Sequence, residues 1–141
     1  MQKSKKMQIL LSEPFAELSY IEDGNYFCNK WYGFLKLELV KPYMVRLIEI
    51  IKNQNAGTQP VNKIFIDITK SELLTPDLQE YFADANIQVK DAGIKYYSVV
   101  IPKNVFAQFT LEVYLEDNSM EGIKHRTFGD ELEALTWLKS L

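Results

Sequence analysis

Short β-branched runs alternate with helically spaced apolar stripes along this chain, and that alternation restricts its fold more than any other feature. Ile64-Phe65-Ile66-Asp67-Ile68 is apolar on both sides of an extended strand, as a central parallel strand requires. Before it, Val40, Tyr43, Met44, Leu47, Ile48 and Ile51 recur at helical spacing and make one apolar face. After it, Thr75-Pro76-Asp77 reads as a helix start, with a Thr N-cap, Pro at the first position and an acid in the first turn. Leu78, Tyr81, Phe82, Ala85, Val89 and Ala92 then form a second stripe, ended by Gly93. Tyr96 to Ile101 repeats the buried-strand pattern. Strand, helix, strand, helix, strand implies parallel pairing through crossover helices.

The two ends of the chain extend the pattern. Phe15–Asp23 and Tyr26–Phe34 flank Asp23-Gly24-Asn25 and read as a β-hairpin. Pro42 is expected in the first turn of the helix that follows, and Gly57 at its left-handed cap. Val105, Phe106, Phe109, Val113 and Tyr114 suggest a further helix. Ile123–Phe128 is a last strand, and Asp130 starts a last helix with Leu132, Leu135, Leu138 and Leu141 on one side. The expected architecture is α/β: a mixed sheet of about five strands, opened by an N-terminal hairpin and covered by about four helices. Residues 1–12 are expected as a short tail, and residues 13–141 as one domain.

Composition narrows the function. The 141 residues include one Cys and one His, so neither a disulfide framework nor a Cys/His zinc site is available. Six scattered Gly form no phosphate-binding loop. The net charge is −3, and the dense basic cluster is Lys3, Lys5 and Lys6 alone, which argues against nucleic acid as a partner. No apolar run approaches the roughly 18 residues of a membrane span, and no signal segment is evident. A cytoplasmic protein is therefore expected, with no integral membrane segment and no cofactor.

Cys28 and His125 are the only nucleophile and base of the Cys–His kind. Cys28 lies inside a predicted strand, the usual place of a small buried hydrophobe. The acidic pairs Glu22-Asp23, Glu116-Asp117 and Asp130-Glu131 fall at predicted turns or helix starts, where acids complement free N–H groups. Eight Phe, eight Tyr and two Trp are expected mainly to fill the core between sheet and helices, and Tyr26, Trp31 and Tyr32 on the hairpin are the candidates for an aromatic binding patch.

Three stretches carry a family resemblance. Trp31-Tyr32-Gly33-Phe34-Leu35 closes a strand before the first long helix. Ala92-Gly93-Ile94-Lys95-Tyr96-Tyr97-Ser98-Val99-Val100-Ile101-Pro102 is followed by Val105-Phe106-Ala107-Gln108. The third stretch is Phe128-Gly129-Asp130-Glu131-Leu132-Glu133-Ala134-Leu135-Thr136-Trp137-Leu138. Together they resemble the SpoIIAA-like branch of the STAS domains (sulphate transporter and anti-sigma-factor antagonist), a fold shared with CRAL-TRIO lipid-transfer proteins. In the antagonists a central strand ends in an acid and a phosphorylatable Ser opens the next helix. The resemblance therefore implies a regulatory or interaction loop at Asp67, Thr69, Ser71 and Thr75, although the D-S-S-G pattern itself is absent here. It implies a non-catalytic domain that binds another protein or itself as a homodimer. The alternative is a small carrier or sensor of an apolar, lipid-like ligand.

Overall fold

The computed structural model describes residues 6–72, 74–102 and 124–141. Its strands run β1 (Met7–Glu13), β2 (Ala16–Ile21), β3 (Tyr26–Gly33), β4 (Lys63–Ser71), β5 (Tyr96–Val100) and β6 (Lys124–Phe128). Its helices among the described residues are α1 (Leu37–Asn55), α2 (Pro76–Asp91) and α3 (Glu131–Lys139). All six strands join one sheet in sequence order. The first three pair antiparallel, and β3 to β6 pair parallel. The helix expected over Val105–Tyr114, the pair Glu116-Asp117 and Ile123 lie outside the described residues.

The hairpin turn is where Asp-Gly-Asn placed it. Gly24 and Asn25 take φ of 100° and 54°, values that Gly and Asn adopt at least strain. Tyr20 then donates to the Asn25 side chain at 2.5 Å, and that side chain donates to the Pro60 carbonyl at 3.2 Å.

Strand alternation sorts the core into two layers. Phe27 and Trp31 of β3 face α1 and α2, together with Leu18, Ile64 and Tyr97. Tyr26 and Cys28 face the opposite side, with Phe65, Val100 and the α3 residues Ala134 and Leu138. α1 buries all six residues of the predicted stripe. The polar Asn29 is buried within the α1 layer and is satisfied there. It accepts from Trp31 Nε1 at 3.0 Å, and its amide nitrogen lies 2.6 Å from the Tyr43 hydroxyl and 3.3 Å from the Glu17 carbonyl. Trp31 packs edge-on against both Tyr43 and Phe82.

Several expectations are corrected. Residues 7–12 are not a tail but the edge strand β1, which brings the sheet to six strands. Its register with β2 shifts between Ile9 and Leu11, so the two-residue alternation that marks a strand is broken in mid-run. Pro42 lies in the second turn of α1, because Lys36 already accepts from Leu39 and Val40 and starts the helix at Leu37. Gly57 is not left-handed; Ala56 caps α1 in a right-handed conformation. In α3 the buried residues are Ala134 and Leu138, while Leu132 and Leu141 are exposed. A strict three-residue spacing falls short of the 3.6-residue turn, so Leu132 turns away from the buried stripe, and Leu141 lies beyond the Ser140 C-cap. Asp130 does cap α3, accepting from the Glu133 N–H at 3.0 Å.

Candidate functional site

In open α/β sheets ligands and partners meet the carboxyl ends of the parallel strands. Here β3 and β4 end side by side. Gly33 pairs with Ser71, and the Glu72 N–H donates to the Gly33 carbonyl at 2.9 Å. The turn into α1 and the loop into α2 therefore share one end of the sheet. Of the expected regulatory loop only Thr75 lies in the loop into α2; Asp67, Thr69 and Ser71 belong to β4 itself, because the strand stays paired with β3 as far as Ser71.

Each of the four has a local structural partner. Asp67 is buried, and its Oδ1 accepts from both the Thr69 N–H at 2.8 Å and the Thr69 hydroxyl at 2.6 Å. These bonds lie within β4, beside the register shift of its pairing with β3 between Lys30 and Tyr32. The Ser71 hydroxyl donates to the Ile68 carbonyl at 3.2 Å. Thr75 holds the N-cap position of α2 with extended backbone, but its hydroxyl donates to the Asp77 carboxylate instead of capping a backbone N–H. Asp77 in turn accepts from the Leu78 N–H at 3.0 Å, and the Thr75 hydroxyl is the main reason its carboxyl is held below its ordinary value. A phosphate on Thr75 would thus face a carboxylate, which offsets the attraction of the helix N-terminus.

The aromatic patch is not formed. Tyr26 and Trp31 are buried in opposite layers, and only Tyr32 is partly exposed. Odd and even residues of one strand point to opposite faces, so consecutive aromatics cannot make a single surface. Among the described residues, the large apolar side chains that stay exposed around the turn into α1 are Phe34 (54%) and Leu39 (47%). The sequence did carry a signal for Phe34: Gly33, with φ of 70°, ends the strand alternation immediately before it.

Cys28 and His125 are not brought together. They lie on β3 and β6 with two strands between them, a separation of roughly 14 Å at ordinary strand spacing. His125 aligns with Tyr97, which faces α1 and α2, whereas Cys28 faces α3. Burial pushes the Cys28 thiol up to about 11, against a smaller lowering by Lys30, so it is protonated at neutral pH. Among the described residues no three His, Cys, Asp or Glu side chains are grouped to hold a metal. No helix among them is long and apolar enough to cross a membrane.

The buried acids of this layer give a pH signature. Burial also pushes Tyr26 up to about 12. Cys28 and Tyr26 ordinarily ionise near 9.0 and 10.0, so the unfolded chain loses these protons before the folded one does. Their contribution is complete below about pH 9 and is lost as pH rises through about 12. Thermal melts across that range should show stability falling with pH, and a Cys28→Ala/Tyr26→Phe variant should show a flatter fall. Equal slopes would contradict the assignment.

This arrangement is a SpoIIAA-like α/β fold. It is similar to the crystal structure of an uncharacterized protein from the DUF3478 family with a SpoIIAA-like fold, from Shewanella loihica PV-4. The two are 20% identical over 98% of each chain, with a TM-score of 0.55. No protein-family model matches the sequence, and no curated protein is significantly similar to it.

Proposed function

We propose that this chain is a non-catalytic SpoIIAA-like domain that acts by binding another protein at the turn from β3 into α1. The observation that carries the reading is the exposure of Phe34 and Leu39 where β3 and β4 end together. Large apolar side chains exposed where two strands end are what a docking surface supplies. The hydroxyls of Thr69 and Ser71 and the carboxylate of Asp67, bonded within the end of β4, and the Thr75 hydroxyl at the start of α2 frame this surface. The reading as a carrier of an apolar ligand has less behind it, because Tyr26 and Trp31 are taken up in packing.

The test uses partners captured by the full chain in its native cell extract and identified by mass spectrometry. A Phe34→Ser/Leu39→Ser variant should melt within a few degrees of the wild type, since both residues are exposed. It should bind the identified partner about tenfold or more weakly, the effect of removing two interface anchors. Unchanged affinity would overturn the proposed surface.

A further inference from the structure

A second surface is defined by β1. Among the described residues its outer edge is unpaired, and its seven residues contain no Pro. Met7 and Ile9 are 55% and 53% exposed. They align with Ile21 and Ser19, which places them on the face away from α1 and α2. α3 packs over β4, β5 and β6, at the far end of that face. Exposed apolar residues beside a row of unmatched backbone donors and acceptors template the addition of another strand.

The charges on the strand select the occupant. β1 starts after Lys6, itself preceded in sequence by Lys3 and Lys5, and ends at Glu13. A parallel copy would set like charges together. An antiparallel copy sets Lys6 of each chain beside Glu13 of the other, twice. The present partners of these groups are weak and exposed: Lys6 to Glu22 at 3.8 Å and Glu13 to Arg46 at 3.4 Å. The register shift around Leu10 lies midway between Met7 and Glu13, close to where a two-fold axis would fall. It leaves a short regular segment on each side for pairing.

We propose that β1 pairs antiparallel with β1 of a second copy of this chain, joining two six-stranded sheets into one. The surface differs from the Phe34 and Leu39 turn and does not depend on it. Sedimentation of the full chain over a range of concentrations should show a mass of two chains at the upper end. Ile9→Lys, at an exposed position near the axis, should weaken the dimer at least tenfold by placing like charges together. Lys6→Glu should weaken it about tenfold, and Lys6→Glu/Glu13→Lys should return the dissociation constant to near the wild-type value. Phe34→Ser/Leu39→Ser should leave the mass unchanged. A monomer at every concentration would overturn the proposal. So would a dimer indifferent to Ile9→Lys, or a charge swap that fails to restore what Lys6→Glu removes.

Discussion

Gly93→Ala should destabilise the protein by about 3 kcal/mol, one of the largest losses from adding a single methyl group anywhere in the described chain. Two effects combine. Gly93 has φ of 123°, a conformation that side chains rarely adopt. An added Cβ would also lie 2.3 Å from Asn55 Nδ2. That amide has little room to retreat, because it donates to the Ala92 carbonyl at 2.8 Å while Asn55 Oδ1 accepts from the Val61 N–H at 2.6 Å. These bonds join the end of α1 to the end of α2 and to the segment that leads into β4. Moving the amide breaks both, at about 1 kcal/mol each. The melting temperature should fall by roughly 10 °C. Asn55→Ala alone should produce part of this loss, and the double variant should be less than additive. Gly57→Ala is the contrast: with no left-handed backbone and its nearest neighbour at 3.4 Å, it should change stability by less than about 0.5 kcal/mol. A Gly93→Ala protein as stable as the wild type would refute the Asn55 account.

Trp31→Ala should cost about 4 kcal/mol, within the range for removing a large buried aromatic. The indole fills the space between Tyr43 and Phe82, with ring centroids 5.3 and 5.5 Å away. Its N–H also satisfies the buried Asn29 amide, so truncation leaves a cavity and an unmatched polar group together. Tyr43→Phe should lose a smaller part, about 1 kcal/mol, by removing one member of the same network. Tyr32→Ala, one residue along the strand, should change stability far less, because Tyr32 is only partly buried. Denaturant unfolding of the three variants distinguishes a core residue from a docking residue. If Trp31→Ala unfolds with the wild-type midpoint, Trp31 is not the core residue described here.

The parts of this fold that were legible in the sequence are those fixed by local periodicity. The α1 stripe from Val40 to Ile51 is one amphipathic face, and every one of its residues is buried. Gly24 and Asn25 mark the hairpin because few other residues tolerate their backbone angles. β1 was hidden because a register shift near Leu10 spoils the alternation that defines a strand. The α3 face differs from the leucine stripe because leucines three apart drift around a 3.6-residue turn and Leu141 lies beyond the helix. The candidate site was only half legible. The family resemblance pointed to Asp67, Thr69, Ser71 and Thr75, but not to each being held by a neighbour a few residues away. Phe34 and Trp31 look alike in sequence. Which one is covered depends on where α1 and α2 pack, and that is decided by the tertiary fold.

In the proposed function Phe34 and Leu39 meet the partner, whereas Cys28 and His125 stand on opposite faces of the sheet. The most direct test is the affinity of the identified partner for two variants measured side by side. Phe34→Ser/Leu39→Ser should weaken binding about tenfold or more, and Cys28→Ala/His125→Ala should leave it within about twofold. A binding loss confined to the Cys28 and His125 variant would contradict the account.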